Sequence, residues 1–77
     1  MQIEVLFFGQ LTDKVGCSAT KMNNPGTISA FKKAIVEEYP LLKHAKYTIA
    51  LNNKIAEDTE TIQVQDKIAL MPPFSGG

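Results

Sequence analysis

The last six residues of the chain contain the group whose chemistry is easiest to name, and they read Pro72-Pro73-Phe74-Ser75-Gly76-Gly77. A carboxylate on Gly77 is a poor electrophile, but joining it to AMP from ATP makes a reactive acyl adenylate. A sulfur nucleophile can displace that AMP and leave a thiocarboxylate. Glycine lets the backbone approach another protein's narrow channel closely. The sequence therefore predicts a carrier whose working group is Gly77 and which needs no catalytic side chain of its own.

Pro72, Pro73 and Phe74, which precede Ser75 and the two glycines, are suited to holding the chain terminus away from the folded domain. Pro72 and Pro73 lack backbone donors, so they force the chain out of a sheet and favour an extended polyproline conformation. Phe74 is a large apolar group on a segment that has left the core, which favours an anchor in a partner's groove. We therefore predict a folded domain over residues 1–71 and an extended, flexible tail over residues 72–77.

Composition narrows the class of protein further. The chain has 77 residues, enough for one domain, with eight basic and eight acidic side chains. Nucleic-acid binding is not expected, because it requires a basic footprint. A membrane span is not expected either, because the longest apolar run, from Val5 to Phe8, is far too short. With no signal-peptide pattern at the N-terminus and a lone thiol, we expect a cytoplasmic protein.

Single reactive side chains elsewhere carry little signal. Cys17 is the only cysteine and His44 the only histidine, which excludes an internal disulfide, and no metal site is expected. We interpret Cys17 as a small apolar residue near a turn and His44 as a solvated surface residue. Glu57, Asp58 and Glu60 are interpreted as a solvated loop.

Hydrophobic patterning predicts one main helix and about five strands. The helix covers 27–39, with Thr27 as its N-cap and an apolar face that includes Phe31 and Ile35, and a single helical turn is expected at 11–15. Strands are predicted at 3–8, 18–22, 47–51, 54–56 and 67–71. This order indicates an α+β fold in which the helix lies on one face of a mixed sheet. The first and last strands are the most apolar, so we expect them side by side and parallel at its centre.

Three connections complete this prediction. Residues 41–46 are interpreted as a polar connection. Residues 57–65 are interpreted as a polar loop that carries Ile62 and Val64 inward. Asn52 and Asn53 are placed in a tight hairpin turn, because asparagine tolerates positive φ.

Four segments together resemble a known family. They are Val5-Leu6-Phe7-Phe8-Gly9-Gln10-Leu11, Ala50-Leu51-Asn52, Asp66-Lys67-Ile68-Ala69 and the tail from Pro72 to Gly77. The chain resembles the MoaD family, the small subunits of molybdopterin synthase, which are ubiquitin-like β-grasp sulfur carriers. Two positions depart from the family pattern: Gln65 stands where glycine is common, and Phe74 replaces a smaller aliphatic residue.

The resemblance implies a cycle with three partners. A MoeB-like adenylyltransferase would adenylate Gly77 with ATP, and a persulfide donor system would convert it to a thiocarboxylate. The tail, Pro72 to Gly77, would then enter a MoaE-like large subunit, where sulfur passes to cyclic pyranopterin monophosphate and builds the dithiolene of molybdopterin. In this cycle the chain is the non-catalytic sulfur donor of a heterotetramer and binds no cofactor itself. The catalytic residues are expected on the large subunit.

Three alternatives stay open at this point. A ThiS-type carrier serving thiazole synthesis for thiamin shares the fold and the Gly76-Gly77 ending. A ubiquitin-like modifier would use the same tip chemistry but join Gly77 to lysines of target proteins. An interaction module with an inert tail needs none of this chemistry.

Overall fold

The two ends of the chain form the centre of a single sheet. The computed structural model describes residues 2–63 and 65–72, and within them five strands pair in the order β2-β1-β5-β3-β4. The strands are β1 (Gln2–Phe7), β2 (Ala19–Asn23), β3 (Thr48–Leu51), β4 (Lys54–Ile55) and β5 (Lys67–Met71). β1 and β5 run parallel, and the other pairs are antiparallel. The predicted mixed sheet, with its first and last strands adjacent, is confirmed.

The helices also begin and end close to the predicted residues. α1 spans Leu11–Val15 and α2 spans Ile28–Glu38. The Thr27 hydroxyl caps α2 by accepting a hydrogen bond from the Ala30 amide at 3.2 Å. Tyr39 ends α2 because the following Pro40 disfavours a helical conformation there.

The core lies between α2 and one face of the sheet. Phe31 and Ile35 of α2 are fully buried, as are Val5 of β1 and Ile68 of β5. The register sets Val5 directly beside Ile68, so the two central strands contribute a continuous apolar layer under the helix. This helix-on-sheet arrangement is the predicted α+β, β-grasp architecture.

One connection differs from the prediction. Residues 41–46 do not form a polar connection: Pro40–His44 is a 3₁₀ helix whose Leu42 is 1% exposed. Pro40 has the fixed φ that suits a first helical position, and the tight turn then directs Leu42 inward while Leu41 stays 65% exposed. Ile62 is buried as predicted, whereas Val64 lies outside the described residues.

A polar clamp ties the β3–β4 hairpin to the start of β5. Asn52 and Asn53 both have positive φ, +52° and +72°, as the two-residue hairpin turn requires. The Asn52 side chain donates to Asp66 Oδ1 at 2.9 Å and accepts from the Lys67 amide at 3.0 Å. Asp66 Oδ2 accepts from the Gln63 amide at 2.7 Å. The clamp therefore fixes where the last strand enters the sheet.

The same clamp predicts a pH dependence of stability. The hydrogen bond from Asn52, and then that from the Gln63 amide, hold the pKa of Asp66 below its ordinary value of 3.8. The folded state thus favours the carboxylate, so this contribution to stability is fully present above pH 3.8 and is lost as the pH falls through the lowered pKa. We expect Asp66→Asn to flatten the acid limb of stability, measured by urea unfolding across the acid range. Parallel curves for the variant and the parent protein would contradict the assignment.

Candidate partner-docking face and base of the carboxyl-terminal segment

The sheet face opposite α2 carries a continuous apolar surface. Leu6 lies beside Ala69, Ala69 beside Ala50, and Ala50 beside Ile55, so one row of side chains crosses four strands. Because side chains alternate along a strand, residues two positions further on join the same face. We call the whole set the outer-face patch, and its members are Leu6, Phe8, Ala50, Ile55, Ala69 and Met71.

The outer-face patch is most exposed at its two ends, whereas Ala50 within it is only 4% exposed. Phe8 is 47% exposed and Ile55 is 66% exposed. Between Phe8 and the small side chains of Ala50 and Ala69 lies a concavity of about 300 Å³, which Met71 also lines. A small domain that exposes contiguous apolar surface usually does so where another protein binds. The shape suits a partner that inserts a side chain over the two alanines.

Sequence patterning found the residues of this face but not its role. The apolar character of the first strand predicts a central position in the sheet, and β1 does have a neighbour on each side. Burial on both faces does not follow, because α2 covers only one face of the sheet. Apolar residues alternating on two adjacent strands, with nothing in the sequence to cover them, are the signal that would have indicated a docking face.

β5 leads from this face directly to the predicted reactive segment. The strand ends at Met71, and Pro72 follows it at the position where Gly9 leaves β1. Gly9 has φ +59°, and a Cβ placed on it would lie 2.7 Å from Pro72 Cγ and 3.3 Å from Pro72 Cδ. The Gly9 carbonyl also accepts from the Thr12 hydroxyl at 2.9 Å, which links this point to α1. The Pro72 ring thus packs directly against Gly9, in space that a Cβ would occupy.

The contact between Gly9 and Pro72 gives a prediction with an internal control. Gly9→Ala places an L residue in a left-handed conformation, which costs about 1–2 kcal/mol. The added Cβ would also clash with the Pro72 ring. Gly16 has φ +84° but open space around its Cβ position, so Gly16→Ala adds only the backbone term. Thermal unfolding should show a larger loss for Gly9→Ala, roughly 5–15 °C in Tm. Equal decreases in Tm for the two variants would show that the Pro72 ring moves aside without a measurable loss of stability.

Basic side chains surround the base of the segment. A cavity of about 300 Å³ beside Pro72 is lined by Lys14, His44 and Lys46, together with apolar and amide groups. His44 is exposed, as predicted. These groups favour an acidic surface on whatever protein receives the segment.

The structure places only part of the predicted site. Pro72 is described, whereas the predictions for Pro73, Phe74, Ser75, Gly76 and Gly77 lie outside the described residues. Their conformation, flexibility and contacts therefore remain predictions.

The other singled-out residues have ordinary structural surroundings. Cys17 is partly buried and packs against the core, with its Sγ 4.0 Å from the Tyr39 hydroxyl. The acidic loop is exposed: Asp58 pairs with Lys32 at 2.6 Å, and Glu60 accepts from the amide of Glu57 at 3.0 Å. These contacts fit the interpretations of Cys17 as a small apolar residue and of the acids as a solvated loop.

The part of the chain that the structure describes lacks both a metal-ligand cluster and a membrane-spanning helix. Residues 2–63 and 65–72 contain no group of three or more histidine, cysteine, aspartate or glutamate side chains placed to hold a metal ion. None of the helices formed by those residues has the length and apolar character needed to cross a membrane.

Comparison with known sequences places the chain among sulfur-carrier proteins of the ThiS family. The model of the ThiS family matches residues 5–77. The molybdopterin synthase sulfur carrier subunit of Arabidopsis thaliana is 28% identical over 81 residues, which cover 100% of this chain and 84% of that protein.

Solved structures agree on the fold. A chain of the complex of subunits 1 and 2 of the molybdopterin-converting factor of Helicobacter pylori is 28% identical with a TM-score of 0.72, and the match covers 100% of both chains. The small archaeal modifier protein 1 of Haloferax volcanii is 20% identical with a TM-score of 0.81, over 95% of this chain and 98% of that one. This second likeness shows the fold alone, and it confirms the β-grasp prediction. The chain therefore belongs to the ThiS family and is a homologue of a molybdopterin synthase sulfur carrier subunit.

Proposed function

We propose that this chain is the sulfur carrier of a molybdopterin synthase and that it works through the carboxylate of Gly77. The observation that carries the proposal is the double role of β5. Its outward side chains, Ala69 and Met71, form the middle of the outer-face patch, and its last residue leads into the segment that ends at Gly77. A protein that binds this face therefore also lies next to Pro72, where the predicted tail begins.

The partner that fits is a MoaE-like large subunit. The Helicobacter pylori relative was solved as a complex of subunits 1 and 2 of its converting factor. In this chain the outer-face patch supplies the apolar area that such a contact requires, with half-exposed Phe8 as the large aromatic side chain at its edge. Lys14 and Lys46 beside Pro72 would face acidic groups at the entrance of the channel. Two carriers and two large subunits would make the heterotetramer.

The carrier is loaded before it meets the large subunit. In the proposed first step a Gly77 carboxylate oxygen attacks the α-phosphorus of ATP on a MoeB-like adenylyltransferase, and pyrophosphate leaves. The terminal sulfur of a donor persulfide then attacks the Gly77 carbonyl carbon, and AMP leaves. A second thiol cleaves the resulting acyl disulfide, which releases the thiocarboxylate and leaves a disulfide on the donor.

The loaded carrier delivers its sulfur to cyclic pyranopterin monophosphate. In this step the thiocarboxylate sulfur attacks a carbon of the pterin side chain, and an oxygen substituent leaves that carbon. Water then hydrolyses the acyl–sulfur bond, so the sulfur stays on the pterin and the Gly77 carboxylate is regenerated. One carrier molecule delivers one sulfur, so the dithiolene of molybdopterin requires two deliveries. The acids and bases for this step are proposed on the large subunit, and ATP is consumed only by the activating enzyme.

Intact-mass spectrometry tests the loading reaction directly. The purified chain is incubated with ATP, a MoeB-like adenylyltransferase and a persulfide donor. We expect a mass gain that corresponds to one oxygen replaced by sulfur, located at Gly77 by fragmentation. The unchanged mass in a reaction without ATP is the control, and an unchanged mass in the complete reaction would contradict the proposal.

The same mixture separates the carrier from its alternatives once further proteins and substrates are added to it. Covalent ladders on other proteins would indicate a modifier that joins Gly77 to lysines. A loaded chain that serves a thiazole synthase but forms no molybdopterin with the large subunit and cyclic pyranopterin monophosphate would indicate a ThiS-type role.

A further inference from the structure

One edge of the sheet is built to accept another strand. Among the described residues β2 pairs with β1 alone, whereas the opposite edge strand, β4, has only two residues. β2 pairs with β1 over five consecutive residues without a bulge, and it contains no proline. Proteins usually blunt a free edge by shortening it, bulging it or placing proline or a charged residue there. β4 is short, whereas β2 keeps five paired residues and carries Lys21 as its one charged side chain.

The hydrogen-bonding groups on this edge can be named from the register. The Phe7 amide donates to the Ser18 carbonyl at 2.9 Å, so these two residues form a hydrogen-bonded pair. Such pairs recur at every second residue of an antiparallel ladder. The backbone groups of Thr20 and Met22 therefore face β1, and those of Ala19, Lys21 and Asn23 face away from the sheet.

A groove runs beside this edge, between β2 and α2. It encloses about 730 Å³ and is lined on the strand by Thr20 and Met22 and on the helix by Ala34 and Glu38. Thr20, Met22 and Ala34 are all partly exposed. When a strand is added to a sheet edge, alternate side chains of the added strand point to the same face. Those side chains would enter this groove.

The charge in the groove selects the occupant. Glu37 and Glu38 line its helix side, where the last turn of α2 holds no basic residue, and Lys21 lines its strand side. The acidic charge is therefore concentrated at the end of α2. The helix carbonyl ends add partial negative charge at the same place, so the two carboxylates lie where they destabilise the helix. The one ion pair found among the described residues joins Lys32 to Asp58 and leaves both carboxylates unpaired. A basic side chain entering the groove would offset this repulsion.

From these observations we propose that β2 and α2 form a second docking site, which binds an extended peptide segment of a partner protein. The segment adds to the free edge of β2, with small or β-branched residues in the groove and a lysine or arginine against Glu37 and Glu38. The groove shares no residue with the outer-face patch. The two surfaces can therefore be occupied at the same time.

Nuclear magnetic resonance titration with a defined peptide tests the site. The probe is a short synthetic peptide of alternating Val and Thr with two Lys residues at one end. The expected result is a shift and slowed hydrogen exchange of the Ala19, Lys21 and Asn23 amides. A matched peptide ending in two Glu residues should bind more weakly. No response at the β2 amides, a response confined to the outer-face patch, or equal binding of the two peptides would overturn the proposal.

Two variants with matched controls sharpen the test. Lys21→Pro removes an outward amide that β1 does not use, and it should weaken binding roughly tenfold, whereas Lys21→Ala should change it by less than about twofold. Glu38→Lys should weaken binding of the Lys-ended peptide roughly threefold while raising Tm, because it reverses an unfavourable charge at the helix end. Glu57→Lys is the control for net charge. Parent-like binding by both Lys21→Pro and Glu38→Lys would overturn the proposal even if one variant proved unstable.

Discussion

Deleting Gly77, or extending the chain beyond it, is expected to abolish sulfur transfer while the domain stays folded. Deletion leaves a carboxylate on Gly76, but that group lies one residue short, and a residue spans about 3.3–3.6 Å of extended chain. A displacement of about 1 Å in a reacting group already costs on the order of a hundredfold in rate. Extension converts the carboxylate into an amide, which ATP does not activate.

Folding should be unaffected because the described contacts of the sheet end at Met71 and Pro72. Thermal unfolding of the deletion variant should match that of the parent, whereas intact-mass spectrometry should show no sulfur gain. Ser75→Ala, which keeps both the length and the terminal carboxylate, is the control and should load normally. Normal loading of a chain with one added residue would exclude the carrier mechanism.

Phe8→Asp is expected to weaken binding to a MoaE-like large subunit by at least about thirtyfold. A large aromatic side chain that becomes buried in an interface can contribute about 2 kcal/mol or more, and the variant also introduces a carboxylate that loses its hydration on docking. Phe8 is 47% exposed in the free chain, so its replacement leaves no cavity in the core. Isothermal titration calorimetry with the purified large subunit measures the effect.

Leu41→Asp is the matched control for Phe8→Asp. Leu41 is 65% exposed on the 3₁₀ helix at Pro40–His44, away from the outer-face patch. It loses a similar apolar side chain and gains the same charge, but its binding should stay within about twofold of the parent value. Equal weakening by the two variants would indicate a nonspecific charge effect, and unchanged binding of Phe8→Asp would place the large subunit on another surface.

Local chemistry in the sequence explains why most of the fold could be predicted. The apolar face of α2 and the cap at Thr27 define the helix, and the tight turn at Asn52 and Asn53 defines the hairpin. The first and last strands are the most apolar, and the most apolar strands are expected at the centre of the sheet. Their pairing as β1 and β5 could therefore be predicted. Leu42 escaped prediction, since its inward direction depends on a 3₁₀ turn that begins at Pro40 and not on an apolar repeat.

The candidate site was predictable in its chemistry but not in its docking surface. The reactive tip was inferred from residue types alone, whereas the outer-face patch depends on which strands become neighbours. Asn52 and Asp66 each lie in a segment that resembles the MoaD family. The structure gives these two residues a shared role, because their side chains hydrogen-bond in the clamp at 2.9 Å. Gln65 has φ +73°, a region that glycine adopts without strain, so the glycine common in the family would fit this turn.

The pairing of β1 with β5 also sets the order in which the chain can fold. Val5 and Ile68 are neighbours in the sheet although they lie 63 positions apart in sequence. Because closing so long a loop costs entropy, we expect this pairing to form late in folding. The helix α2 and the β3–β4 hairpin can form earlier, because their contacts are local. The outer-face patch needs Leu6 and Ala69 together, so it exists only after this last step. An activating enzyme that recognises the patch would therefore spend ATP only on carriers that have completed folding.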